Sequence, residues 1–251
     1  MDEIFDAIGG GNFGEVKRII TYNPGRVYIR TWKKRETPLD VSIKCGELKM
    51  AKFLFERGGR PNLDAYCDGK DTPVHCAVYG GHTATLKWVI TEKILPPRVL
   101  NHKDIWKKKT PLDIAIARGN LEMAEFLWEM GGQPNLENYR DGINTPVHRA
   151  AWNGYTKTLK WLFAEKNVLS LDVLKIKDWK EWTPLDNAMS RKKWETITFL
   201  RRLMHLDPIF LTMQRAKRDF HQMCVLRKLP NELLDMVVDE VAARFRLKVV
   251  W

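Results

Sequence analysis

Apolar residues recur at helical spacing in short blocks along most of this chain. Leu48, Ala51, Phe53 and Leu54 form one stripe, Leu86 and Val89 a second, Leu121, Ala124 and Leu127 a third, and Leu159 and Leu162 a fourth. Steps of three and four residues put each set on one helix face, so each block predicts an amphipathic helix facing a neighbouring unit. Ahead of the stripes stands a recurring tetrapeptide: Thr37-Pro38-Leu39-Asp40, Thr72-Pro73-Val74-His75, Thr110-Pro111-Leu112-Asp113, Thr145-Pro146-Val147-His148 and Thr183-Pro184-Leu185-Asp186. A threonine hydroxyl can cap the free N–H groups of a starting helix, and proline fits the first turn because its missing N–H costs nothing there. Each tetrapeptide therefore predicts a helix start. Nine residues after each of the first four threonines come Gly46, Gly81, Gly119 and Gly154, which can take positive φ and end a short helix. The result is a series of helix pairs.

The spacing from Thr37 to Thr72 equals that from Thr110 to Thr145, and the slightly longer spacing from Thr72 to Thr110 equals that from Thr145 to Thr183. A longer echo runs through the chain: Gln133 to His148 matches Arg60 to His75 in order and spacing, so the full repeat is a pair of units. Within that pair Thr85-Leu86-Lys87-Trp88 matches Thr158-Leu159-Lys160-Trp161, and both tryptophans are expected to pack between helices. Self-similarity at such a period marks a repeat architecture. Spacing and tetrapeptide together resemble ankyrin repeats, whose T-P-L-H signature they match. That resemblance implies an all-α ankyrin-repeat solenoid, about six repeats of helix pairs joined by hairpin-like tips.

Repeats are expected to start near 37, 72, 110, 145 and 183. Phe5 to Ile20 looks like an atypical first repeat within 1–30, with Asn12-Phe13-Gly14-Glu15-Val16 standing where family members often read G-x-x-E-V. At the fifth tetrapeptide the glycine position holds Lys192, and the second helix reads WETITFLRRL, as a terminal unit would. The solenoid is expected to span 1–205, followed by a helical connector at 206–228 and a final segment at 229–251. The family uses the fourth tetrapeptide position to tie successive repeats by hydrogen bonds. This implies structural roles for His75 and His148, and for Asp40, Asp113 and Asp186. No nucleophile motif, phosphate-cradling glycine loop or paired-carboxylate spacing accompanies them, so the chain reads as non-enzymatic.

Composition changes this picture little. Across 251 residues, 44% apolar and 29% charged content is that of an ordered protein. The N-terminus, MDEIFDAIGGGNFGEV, lacks the basic start and unbroken apolar run of a signal peptide. Charged residues interrupt every stretch long enough to cross a bilayer, so a soluble protein without a membrane partner is expected, in the cytoplasm or nucleus. Cys45, Cys67, Cys76 and Cys224 form no C-x-x-C pair and are expected to be reduced, buried hydrophobes. Neither a metal site nor a cofactor is expected.

Charge does change the picture. Forty-two basic against thirty-one acidic residues give +11. Family members typically bind targets through their tips and the adjoining first helices, which form a concave face. Here the tips alternate. Those before the Asp-type tetrapeptides read Trp32-Lys33-Lys34-Arg35, Trp106-Lys107-Lys108-Lys109 and Trp179-Lys180-Glu181-Trp182, while Asp68-Gly69 and Asp141-Gly142 precede the His-type ones. Tryptophan beside cations suits an acidic, flexible target protein, and Trp32, Lys34, Arg35, Trp106, Lys108, Trp179 and Trp182 are the expected contact residues. Solvated lysines serving solubility are the competing reading. Nucleic acid is the rival ligand; no recognised nucleic-acid module supports it.

Beyond the repeats, Leu229-Pro230-Asn231-Glu232-Leu233-Leu234 and the following Val237 and Val241 resemble the start of an F-box. An F-box after ankyrin repeats resembles the PRANC region of poxviral ankyrin proteins and similar host-manipulating proteins. The resemblance implies that Leu229, Pro230, Leu233, Leu234, Val237 and Val241 contact a Skp-type adaptor of a cullin-RING ubiquitin ligase. The stretch from Leu229 to Trp251 is shorter than a full F-box. The alternative is a plain ankyrin scaffold whose tail caps the last repeat.

Overall fold

The computed structural model describes residues 3–32, 35–63, 72–104, 108–135, 145–166 and 168–204. Each tetrapeptide starts a helix, and the side chains show why. Thr37 Oγ1 accepts the Asp40 amide at 3.3 Å, while the Asp40 carboxylate accepts the Thr37 amide at 2.8 Å. This reciprocal capping box satisfies two donors that a helix start leaves open. It opens α3 (Pro38–Cys45) and recurs at α7 (Pro111–Arg118) and α11 (Pro184–Ser190), which follow α1 (Glu3–Gly9) and α2 (Phe13–Tyr22). At α5 (Pro73–Gly80) and α9 (Pro146–Asn153) a histidine holds the carboxylate's place, and the threonine hydroxyl caps its amide at 3.3 Å in both.

Helix ends follow the sequence as well. Gly46 adopts φ 78° just beyond α3, where a Cβ would also drive into the His82 ring, and the same left-handed turn recurs at Gly81, Gly119 and Gly154. Lys192 takes the equivalent turn after α11 at φ 54°, so the fifth unit keeps the bend without glycine. The partner helices are α4 (Leu48–Glu56), α6 (Thr83–Thr91), α8 (Leu121–Glu129), α10 (Thr156–Lys160, passing into a π turn at Trp161–Glu165) and α12 over 194–204. No strand occurs among the described residues.

Two compact units divide the chain, Met1–Ile197 and Thr198–Trp251. Of the second, residues 198–204 are described, as helix. In the first, α1, α3, α5, α7, α9 and α11 pack in succession as one layer, and α2, α4, α6, α8 and α10 follow as the other. Leu39, Ile43, Met50, Ala51, Leu54, Leu86, Val89, Leu112, Met123, Ala124, Leu127, Leu159 and Leu162 lie buried between units. Each such Leu or Met contributes roughly 1.5–3 kcal/mol through its burial. The stripes need one correction: Leu48, Phe53 and Leu121 are only half-buried, because they sit where the second helix begins or turns outward, and Met50 and Met123 fill the core instead. The cysteines need another. Cys45 and Cys76 are half-buried, not sealed in the core, while Cys67 and Cys224 lie outside the described residues.

Hydrogen bonds between units explain why the period is a pair. In the Asp-type units the same carboxylate oxygen that closes the capping box reaches forward: Asp40 accepts the Asn62 amide at 3.0 Å, and Asp113 the Asn135 amide at 3.1 Å. In the His-type units Nε2 of His75 points at the carbonyls of His102 (3.1 Å) and Lys109 (3.2 Å), and Nε2 of His148 at those of Ile176 and Trp182, both 3.1 Å. Two carbonyl acceptors fix Nε2 as the protonated nitrogen, and Nδ1 of each ring accepts from its threonine hydroxyl at 2.7–2.8 Å. Burial holds His148 below the usual imidazole pKa, against the opposing pull of Asp178 and the two carbonyls. One repeat type thus grips its successor with an acceptor and the other with a donor.

Candidate functional site

The described ends of the tips before the Asp-type units are tied to each other by backbone hydrogen bonds. The Thr31 amide donates to the Glu36 carbonyl at 2.8 Å and the Arg35 amide to the Thr31 carbonyl at 3.0 Å; Asp104 with Lys109 and Lys108 repeats both bonds. The tip at 178–182 is one residue shorter, closed by the Asp178 amide on the Trp182 carbonyl at 2.8 Å. Among the described residues of each tip, one is left-handed: Arg35 at φ 53°, Lys108 at 51° and Glu181 at 61°. Such a conformation costs a side-chain-bearing residue about 1 kcal/mol. It is held by the next unit, whose Asn62 and Asn135 side chains donate to the carbonyls of Arg35 (2.8 Å) and Lys108 (2.7 Å). The Pro-Asn pairs at 61–62 and 134–135, part of the long sequence echo, are therefore clamps on the preceding tip.

The structure places the expected contact residues unevenly. Trp32 is 91% exposed and Trp179 70%, and Arg35 and Lys108 are exposed. Trp182 is half-buried, its carbonyl takes the His148 latch, and the Lys180 ammonium lies over both Trp179 (4.7 Å) and Trp182 (5.3 Å). Lys34 and Trp106 lie outside the described residues, as do Leu229, Pro230, Leu233, Leu234, Val237 and Val241. Trp32 and Trp179 precede α3 and α11, four steps apart in the stack, roughly 32–40 Å at 8–10 Å per step. They cannot serve one small ligand; they bracket an extended face.

Between them, the first helices carry groups that the tips did not announce. The Arg118 guanidinium lies over the Tyr79 ring at 5.4 Å, and Arg191 over Trp152 at 4.6 Å. Tyr79 and Trp152 stand one two-unit period apart, and so do Arg118 and Arg191, which is the signal that could have found them. Asp178 roots the last tip. Its burial alone would raise the carboxyl pKa, but donation from Asn187 (3.0 Å) and the amides of Lys180 (2.8 Å) and Trp182 (3.1 Å) outweighs this and holds it below the usual value. The acids Asp40, Asp113 and Asp178 are buried in such bonds, while Arg118, Arg149, Lys180 and Arg191 are exposed. The second-helix face is different, with cations paired between units: Lys87 with Glu122 at 2.8 Å and, one two-unit period on, Lys160 with Glu195 at 3.2 Å.

A family model described as ankyrin repeats (3 copies) matches residues 60–138 and 95–172. Residues 60–172 are thus ankyrin repeats. An ankyrin repeat domain from Acinetobacter baumannii superposes with a TM-score of 0.53 over 80% of this chain and 97% of that one, at 20% identity, which shows the shared fold. Among curated proteins, a probable 26S proteasome regulatory subunit of Saccharomyces cerevisiae is 29% identical over 61% of this chain and 64% of its own length. A putative ankyrin repeat protein of fowlpox virus is 25% identical over 64% of the chain and 34% of its own length. The human transient receptor potential cation channel subfamily A member 1 is 24% identical over 69% of the chain and 15% of the channel subunit. The chain thus spans less than two thirds of each of these relatives.

Ankyrin repeats such as those at 60–172 indicate a protein–protein interaction module. Among the described residues no group of three or more His, Cys, Asp or Glu is placed to hold a metal ion. Nor is any described helix long and apolar enough to cross a membrane.

Proposed function

We propose that this protein is a substrate-recruiting adaptor of a cullin-RING ubiquitin ligase inside the cell, its repeats holding a target and its tail docking on a Skp-type adaptor. The observation that carries the target-binding half is the face built from tips and first helices, where Asp40, Asp113 and Asp178 are buried in internal bonds, Glu181 is paired with Lys177, and Trp32, Trp179 and the cations Arg118, Arg149, Lys180 and Arg191 are exposed. Such a face attracts an acidic protein segment and presents residue types that dominate interface energies. The tail half rests on the F-box-like run from Leu229 to Val241 in the sequence. Two relatives point the same way: the fowlpox protein shares the poxviral setting of such tails, and the yeast protein is named a probable proteasome regulatory subunit.

The test is co-purification with a Skp-type adaptor, comparing the whole chain with a form ending before Leu229 and with the Leu233→Asp/Val237→Asp double variant. A stable complex lost in both folded variants is the expected result. No complex with the whole chain, together with earlier thermal unfolding of the truncated form, would make the tail a cap on the solenoid and overturn the ligase reading.

A further inference from the structure

The first-helix face holds a recess of about 300 Å³ lined by Arg149, Trp152, Asn153, Asn187 and the tip residues Asp178, Trp179 and Lys180. Two indoles, Trp152 and Trp179, and two carboxamides, Asn153 and Asn187, are part of its lining. Of its charged groups, Asp178 is already satisfied by three donors from its own unit. Arg149 is exposed and makes no side-chain hydrogen bond or ion pair among the described residues. Lys180 rests over the indoles of Trp179 and Trp182 with its ammonium open to a further acceptor. A recess of this size stands at the small end of ligand pockets and accommodates one or two side chains. Its unmet donors ask for an anion.

The aromatic faces decide which kind of anion. Single-stranded nucleic acid draws much of its affinity from bases stacked on open aromatic rings. Here a cation already stands over one face of Trp152 (Arg191), Tyr79 (Arg118) and Trp179 (Lys180). A guanidinium lying over a ring keeps its N–H fork free at the edge, the geometry that receives a carboxylate. One two-unit period upstream, the counterparts of Arg149, Trp152 and Asn187 are Cys76, Tyr79 and Ile114, so that position keeps the stacked arginine but not the polar recess. The face therefore offers a main anchor at α9 and α11 and a lesser one at α5 and α7. Two steps of the stack separate them, roughly 16–20 Å at 8–10 Å per step. An extended chain covers that in about five or six residues at about 3.3 Å each.

We infer that the recess at Arg149 and Lys180 anchors an acidic residue of an extended segment in the target protein, with a second acidic residue about six positions away held by Arg118. This rests on the reading of the repeats as the target-binding half. It needs no adaptor, so its failure leaves the tail's docking role untouched. The probe is a fluorescein-labelled twelve-residue peptide of glycine and serine carrying two Glu-Glu pairs six residues apart, titrated at 50 mM salt and followed by anisotropy. The Arg149→Glu/Lys180→Glu variant should lose at least tenfold in affinity, and Arg149→Ala/Lys180→Ala severalfold. Lys49→Glu/Lys157→Glu, the same charge change on exposed second-helix positions, should stay within threefold of wild type. Closing the two pairs up to a spacing of two should cost several-fold. Equal weakening by both charge reversals, no saturable binding of the peptide, or displacement of the peptide by a twelve-base oligothymidine at lower concentration would each overturn the inference.

Discussion

At the scale of single residues, His148 shows how one side chain joins two units and makes their union sensitive to pH. Its neutral ring donates from Nε2 to the carbonyls of Ile176 and Trp182 and accepts at Nδ1 from Thr145. Because burial depresses its pKa, the unfolded chain binds the proton first as the solution is acidified. The stabilisation is therefore complete above the unfolded value of about 6.5 and is lost progressively as pH falls below it. The thermal midpoint should stay level from pH 8 to 7 and drop between pH 6.5 and 5, and His148→Gln should flatten that drop in parallel scans. Asp178 acts in a separate window: held low by its three donors, it contributes fully above its ordinary value of 3.8 and is lost only at lower pH. Exchanging the latch type with His148→Asp should cost about 2–4 kcal/mol in urea unfolding, since a carboxylate there faces two carbonyl acceptors. The latch histidines were legible in the sequence as repeat-tying residues. Arg149 and Arg191 were not, because a cation on a short helix has no signature until its neighbours across the unit boundary are known.

At the scale of elements, the helix pair survives substitutions that seem to break its grammar. Lys192 stands where four other units have glycine and still adopts φ 54°. The departure from pattern expected there is one of composition; the turn itself is retained, because the Lys193 amide bonds back to the Ala188 carbonyl at 3.0 Å, as the residue after each glycine does. The strain remains in place, so Lys192→Gly should stabilise the protein by about 0.5–1 kcal/mol, the relief of the left-handed conformation less the entropy that glycine adds to the unfolded chain. A chemical-denaturation midpoint that fell on this substitution would show that the lysine side chain has a role the turn does not explain. Sequence identity also concealed a difference. Trp88 and Trp161 occupy matching tetrapeptides, but α6 continues as an ordinary helix and leaves Trp88 half-buried edge-on to Phe55, whereas α10 passes into a π turn at Trp161 and seals it to 1% exposure. A π turn adds a residue to the helical turn and re-aims the side chains that follow, which no spacing rule applied to the echo would foresee.

At the scale of the whole molecule, the repeats form a one-dimensional chain of couplings, and the two-unit period of the sequence is the period of those couplings. Stability in such an array is the sum of unit terms and nearest-neighbour terms, so the position of a broken bond matters as much as its chemistry. Asp113 is buried in the middle of the stack, where its carboxylate caps α7 and also takes the Asn135 amide of the next unit. Asp186 makes the same capping box at α11 and, among the described residues, bonds only to Thr183. The two aspartates are indistinguishable in sequence, each the fourth residue of a Thr-Pro-Leu-Asp run. Asp113→Ala removes a cap and an inter-unit bond, leaving two buried amides unmet at about 1–3 kcal/mol each. The coupling between the halves of the solenoid weakens with it. Urea unfolding of Asp113→Ala should therefore broaden, with a smaller slope or two resolved steps, as the segments on either side begin to melt independently. Asp186→Ala loses the cap alone and should shift the transition by about 1–2 kcal/mol with its slope intact. Identical broadening in both variants would mean that coupling along the stack runs through apolar packing, with the forward bonds of Asp40 and Asp113 adding only local stability.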